Sequence, residues 1–275
     1  MLAFVTSLRA KALAKDWDHI VWLLERCLGA MVNQTSPEWR AYVVCHDVPE
    51  TANASDPRIR WLTADIPLPE RTNADMVRDK VIKTSIAVEA ALAEGASYVM
   101  PVDADDLVSR RLCEHAGMHS GETGWIIKDG VSHYYGSLLM EPISGFHHRC
   151  GTCNLVASGL ISFANDPEYR NARVASIIAM GHAAVEVHYA KARTPLLSLP
   201  FPGAVYIQHG DNTSNVDFSG PGSHLAGMKL RLGRFKQYTR RLRSSRMLTT
   251  SSRAEFYLPS PHEVPAQWRA SWWQV

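Results

Sequence analysis

Apolar residues over the first hundred positions follow two alternating rhythms. Short runs rich in β-branched and aromatic residues, Leu2–Thr6, Ala41–Cys45, Ile59–Leu62 and Tyr98–Val102, read as buried strands. Between them, Trp17, Ile20, Val21, Leu24, Leu28 and Met31 recur at helical spacing, and an Ala-rich stretch from Asp79 to Glu94 stops at Gly95 as helices commonly do. Strands alternating with helices predict a Rossmann-like α/β domain, its mixed sheet mainly parallel and flanked by helices.

Past residue 106 the grammar changes. "GWIIKDGVSHYYGSLLM" holds two β-rich runs around Asp129–Gly130, a strong short-range hairpin signal. A helix is predicted from about Glu168 to Met180. Leu196–Leu199 and "AVYIQH", ending at His209, then read as strands separated by Pro-Phe-Pro-Gly.

Composition bounds this picture without changing it. The 275 residues, 46% hydrophobic and 20% charged, are those of a soluble globular chain able to bury a core. Glu25–Arg26 interrupts the best candidate for a membrane span, and the N-terminal apolar stretch has no basic segment ahead of it, so it reads as a strand and not a signal peptide. Five cysteines, an odd number, suit a reducing cytoplasm.

Charge adds more. The net +2 conceals 19 Lys/Arg against 25 Asp/Glu in residues 1–228, and nine Lys/Arg with no acid in 229–253. These basics are interleaved with Leu230, Leu232, Phe235, Tyr238 and Leu242, so a basic helix with a partial apolar face is expected, either fitted to an anionic membrane surface or packed on the domain with its charges in water. The acidic body argues against nucleic acid as the partner. Trp268, Trp272 and Trp273 either pack on the domain or sit at an interface.

The candidate chemistry starts at "YVMPVDADDLVS". Asp103, Asp105 and Asp106 follow a strand directly, and carboxylates this close repel unless water or a cation lies among them. Two readings stand: a solvated turn whose last Asp caps a helix near Ser109, or a hard-cation site at the carboxyl end of a central strand. Lys80 and Lys83, one turn apart, are either a solvated helix face or phosphate contacts. His182 is either a base or a hydrogen-bonded structural histidine, and His209 either a metal ligand or a turn histidine. Cys150-Gly-Thr-Cys153 follows a hairpin late in the chain, an order that suits a packed loop better than a redox or zinc centre.

Three stretches together, "LLERCLGAMVNQTSPEWRAYVVCHD", "DKVIKTSIAVEAALAEGASYVMPVDADD" and "CGTCNLV" with "GHAAVE" and "LPFPGAVYIQHGDNTS", resemble family 2-like glycosyltransferases of the GT-A fold over roughly residues 2–215. The resemblance implies a domain over 1–220, with a nucleotide-sugar half (1–106) and an acceptor half (107–220), followed by a basic, aromatic-ended extension over 221–275. It implies transfer, with inversion, of a sugar from a nucleotide-diphosphate donor to a saccharide or lipid-linked hydroxyl acceptor, using Mn²⁺ or Mg²⁺. Asp47, Lys80, Lys83 and Asp103 would then face the donor, and Asp105, Asp106 and His209 the metal. The acceptor half reads "GHAAVE" where the family has an acidic pair, so His182 or Glu186 would be the base. The protein would work on the cytoplasmic side, peripheral to the membrane, in polysaccharide or glycolipid assembly. The rivals are a nucleotidyltransferase, which wants a glycine-rich loop where "TSLRAKALAKD" stands, and a non-catalytic sugar- or lipid-binding domain.

Overall fold

The computed structural model describes residues 1–209 and 245–269. Four parallel strands form its centre: β1 (Leu2–Ser7), β2 (Trp39–Cys45), β3 (Ile59–Thr63) and β4 (Tyr98–Pro101), paired in the order β4-β1-β2-β3. Helix α1 (Trp17–Val32) links β1 to β2, and α2 (Asn73–Ala93) links β3 to β4. Side chains alternate along each strand, and the alternation divides the core. Leu2, Phe4, Ala41 and Val43 pack with Leu24, Leu28 and Met31 of α1, whereas Ala3, Val5, Tyr42 and Val44 pack with Ala87, Val88 and Ala91 of α2. The two helices therefore cover opposite faces of the sheet, as the sequence pattern predicts.

Each helix begins at a side-chain cap. Asp16 Oδ1 accepts the His19 N–H at 2.9 Å, and Thr72 Oγ1 accepts the Asp75 N–H at 3.1 Å. Such caps contribute about 1 kcal/mol each. The Thr72 cap explains why α2 starts at Asn73 and not at Asp79.

The same sheet continues beyond β4 through β9 (Asn154–Ala157), β6 (Gly124–Ile126) and β12 (Leu197–Ser198). β9 runs antiparallel to β4 and β6, and β12 is parallel to β6. A second sheet has the order β14-β8-β7-β13-β5, where β5 is Leu107–Val108, β7 Asp129–Tyr134, β8 Leu139–Ser144, β13 Ala204–Gln208 and β14 Arg246–Met247.

Two sequence expectations are corrected here. Asp129–Gly130 is not a hairpin turn, because β6 and β7 belong to different sheets; the hairpin joins β7 to β8, around Gly136 at φ 88°. Gly130 serves packing instead: a Cβ there would lie 2.2 Å from the Phe146 ring. The helix expected over 168–180 is broken up: a short 3₁₀ turn, Pro167–Tyr169, is followed by the strand β11 (Ala172–Ala175), paired with β10 (Phe163–Asp166), and only Ser176–Ala179 is α-helical. Arg170 and Asn171 both adopt φ 58°, a left-handed pair that no α-helix accommodates.

The boundary expected at 220/221 and most of the basic run lie outside the described residues. The described C-terminal part packs on the body. Glu255 Oε1 accepts from Ser109 Oγ and Arg111 Nε, and Phe256, Leu258 and Val264 are buried in the core. No described helix is long and apolar enough to cross a membrane.

Candidate active site

The chain runs outward from β1 through β2 to β3, then returns to place β4 on the other side of β1. The loops leaving β1 and β4 consequently diverge, and the carboxyl ends of these two strands frame a crevice, the usual ligand position in open α/β sheets. A cavity of about 370 Å³ lies there. Ser7, Leu8 and Arg9 enter it from β1, Asp103 and Asp105 from β4, His19 from α1 and Lys80 from α2. Arg149 to Gly151, His182, Tyr206 and His209 also line it, with Asp79 and an apolar side that includes Leu23 and Met76.

The three aspartates have separate fates. Asp103 Oδ1 lies 2.6 Å from Lys80 Nζ. Asp105 Oδ2 lies 2.7 Å from His209 Nε2, joining the ends of β4 and β13. Asp106 turns away from the cavity and is 1% exposed. Its Oδ2 accepts from Thr152 Oγ1 at 2.6 Å and Cys150 Sγ at 3.0 Å, and its Oδ1 from the Ile207 N–H at 3.2 Å. Thr152 Oγ1 also accepts the Asp103 N–H at 2.9 Å, so one hydroxyl ties the whole turn together. Asp106 caps no helix either: the next one starts only at Leu112, after Arg111.

Electrostatics follow from these placements. Burial would raise the Asp105 carboxyl, but His209 and then Lys80 outweigh it and hold it below the usual range. Burial, with Asp105 and Asp103 beside it, pushes Asp106 well above the usual range. Desolvation pulls the Lys80 ammonium down, but Asp103, Asp105 and Asp106 together hold it above its ordinary value.

The paired lysines part company. Lys80 reaches the cavity, whereas Lys83 is fully buried and does not line it. Lys83 Nζ donates to Asp79 Oδ2 at 2.7 Å and to the Leu8 carbonyl at 2.9 Å, bracing the end of β1 against α2. Burial lowers its ammonium despite Asp79.

The two base candidates also separate. His182 lines the cavity, and its Nδ1 lies 2.7 Å from the His147 carbonyl. A carbonyl only accepts, so Nδ1 carries the hydrogen and Nε2 of the neutral ring keeps its lone pair. Glu186 lies outside the lining: Lys128 Nζ is 2.8 Å from Oε1, and His147 Nε2 is 3.2 Å from Oε2. The Lys128 contact first, then the charges around it, hold this carboxyl below its usual range. Asp47 is exposed beyond β2, where its Oδ2 accepts the Lys11 N–H at 3.2 Å, and it does not line the cavity. Cys150 and Cys153 are buried free thiols.

Sequence reasoning passed over Arg9, His19, Arg149 and Tyr206. Only Arg9 carried a usable signal, standing just past the first strand at the carboxyl edge where such crevices open.

No known family profile matches this sequence, and no curated protein sequence does. Solved structures with a similar backbone course include residues 1–349 of Staphylococcus aureus TarS in complex with UDP-GlcNAc, at 10% identity and TM-score 0.48 over 83% of this chain and 64% of that one. The same segment in complex with UDP matches at 11% identity and TM-score 0.48, over 76% and 60%. A nucleotidyl transferase from Methanothermobacter matches at 14% identity and TM-score 0.37, over 74% of this chain and 88% of its own. The chain thus spans less than two thirds of the TarS segment. With TM-scores below 0.5, these likenesses assign neither family nor activity.

Proposed function

We propose that the protein is a GT-A-type glycosyltransferase, moving a sugar from a nucleotide-diphosphate donor to a hydroxyl acceptor. The observation that carries this reading is the Asp105–His209 pair in the switch-point cavity, with Asp103 and Lys80 beside it.

Carboxylate oxygens and an imidazole suit Mn²⁺ or Mg²⁺. Gly151 keeps the side of Asp103 clear, since a Cβ there would stand 3.1 Å from Asp103 Oδ2. Among the described residues, no three His, Cys, Asp or Glu side chains gather as a metal cage. Asp105 and His209 would therefore hold the ion jointly with donor phosphates, as hard cations commonly bind. When bound, it would neutralise the charge gathering on the departing diphosphate.

The chain's own residues account for the remaining work. Arg9 and Arg149 line the cavity and make no side-chain hydrogen bond or ion pair among the described residues, so their guanidinium groups are available to phosphate oxygens. Lys80 balances the carboxylates and orients Asp103. His182 Nε2, its ring fixed through Nδ1, takes the proton of the acceptor hydroxyl. Glu186, held by Lys128 and His147, supports the His147 turn, whose carbonyl accepts from His182 Nδ1. A saccharide or lipid-linked acceptor is our expectation, with the basics of 229–253 holding the enzyme at an anionic membrane during polysaccharide or glycolipid assembly.

The test is hydrolysis of, and transfer from, a panel of nucleotide sugars in Mn²⁺. Release of nucleoside diphosphate supports this reading. Release of pyrophosphate from a nucleoside triphosphate and a sugar phosphate would replace it with a nucleotidyltransferase.

A further inference from the structure

The described C-terminal segment ends against the rim of the cavity. The Trp268 indole N–H donates to Asp16 Oδ2 at 3.0 Å, and its ring stacks on His19 with centroids 5.1 Å apart and planes at 24°. Trp22 closes in as well, 5.5 Å from Trp268. His19 in turn presents an edge-to-face contact to His209, at 5.6 Å and 81°. His209 is the residue hydrogen-bonded to Asp105.

The start of this chain of contacts is firmly anchored. Asp16 uses one oxygen to cap α1 through the His19 N–H and the other to hold the indole, so a single carboxylate sets both helix start and ring. Those two donors, the backbone N–H first, hold the Asp16 carboxyl below its usual range. Val264, 1% exposed, pins the segment in the core, and Arg269 Nε donates back to the Val264 carbonyl at 2.9 Å. The Arg269 stem covers Gly136, where a Cβ would come within 2.9 Å of it.

We propose that Trp268 is a positioning residue: it fixes the His19 ring and, through it, the orientation of His209 beside Asp105. Histidine side-chain torsions occupy a few wells, and hydrogen bonds and ring contacts together select among them. Beside its bond to Asp105, His209 takes one such ring contact from His19, and His19 takes one from a residue near the other end of the chain. Residues bonded directly to a metal-ligating imidazole typically change metal affinity by roughly 10- to 100-fold, and Trp268, acting one residue further out through His19, is expected at the low end of that range. The inference rests on the metal-dependent reading of the cavity.

Trp268→Ala and Trp268→Phe in the full-length chain test it, with two readouts. The first is titration with whichever of UDP, GDP, CDP and ADP binds the wild type best, in Mn²⁺ and again in EDTA. Trp268→Ala should weaken the Mn²⁺-supported affinity about tenfold, within that range, and leave the EDTA value unchanged. Trp268→Phe, which keeps a ring but not the N–H, should fall between wild type and Ala. The second readout is the histidine ring resonances by NMR, without metal or nucleotide. Both His19 and His209 should shift in the Ala variant, and much less in Phe. A shift confined to His19, or unchanged Mn²⁺-supported affinity in Ala, overturns the proposal. A wild type that binds no nucleoside diphosphate removes the parent reading instead, and the resonances alone then decide whether Trp268 positions His209.

Discussion

The Nδ1–H of His182 donates to the His147 carbonyl at 2.7 Å, and this bond leaves Nε2 as the acceptor nitrogen of a ring that lines the cavity. His182→Asn can keep the donor to His147 but offers no base. It should lower kcat by roughly 10²–10⁴-fold, the usual range for general-base catalysis, with little change in donor KM. Glu186→Gln should cost far less. Equal losses in the two variants would move the base away from His182.

Lys83 and Lys80 should fail in different ways. Lys83→Met removes a fully buried ammonium from Asp79, whose side chain is 10% exposed at the cavity; breaking a fully buried pair from one side costs about 3–5 kcal/mol, and this part-exposed one should cost less, about 2 kcal/mol. Chemical denaturation should show that loss. Lys80 is half exposed beside Asp103, so Lys80→Met should fold normally and bind nucleoside diphosphate more weakly. A destabilised Lys80→Met with intact ligand binding would reverse these assignments.

His133 links stability to pH. It is 2% exposed, its Nδ1 donates to the Leu139 carbonyl at 3.1 Å, and burial drops its pKa to about 4 against that hydrogen bond. The unfolded chain takes up the proton near pH 6.5 and the folded one only near 4, so this contribution is complete above 6.5 and is lost as pH falls between those values. Its size is about 3 kcal/mol. Urea midpoints of His133→Asn should fall less steeply over that window than those of the wild type; parallel profiles would contradict the assignment.

How much of this was legible in the sequence depends on the range of the interactions. The first four strands and both long helices are set by local periodicity and were readable. So was the position of Asp103 and Asp105, since a strand ending in carboxylates is a local pattern. The pairing of Asp105 with His209 is not local; it needs β4 and β13 to end at the same crevice. Spacing alone could not distinguish Lys80 from Lys83, because one turn of α2 separates the cavity from the core. Gly130 misled for a related reason: its missing Cβ admits Phe146, a partner brought by tertiary packing and not by any turn.

The basic run needs a gentler test than truncation. Glu255, Phe256, Leu258 and Val264 are built into the body, so removing everything after 228 should unfold it. Replacing the seven Lys/Arg between 229 and 243 with Gln avoids that. Sedimentation with anionic vesicles at low salt should then drop sharply, at roughly 1 kcal/mol for each basic residue near the surface. Donor hydrolysis in solution should stay as it was. Unchanged vesicle binding would tell against a membrane role.

In the proposed reaction Asp105 holds the divalent cation that a nucleotide-sugar donor needs. The most direct measurement is donor hydrolysis by wild type and Asp105→Asn as Mn²⁺ is titrated in, with the fold of each checked by circular dichroism. Wild-type turnover should rise with Mn²⁺, and the folded variant should stay at least about 100-fold lower at saturation, a loss of several kcal/mol of charge stabilisation. Equal Mn²⁺-dependent turnover in the two proteins would mean that Asp105 does not hold the ion.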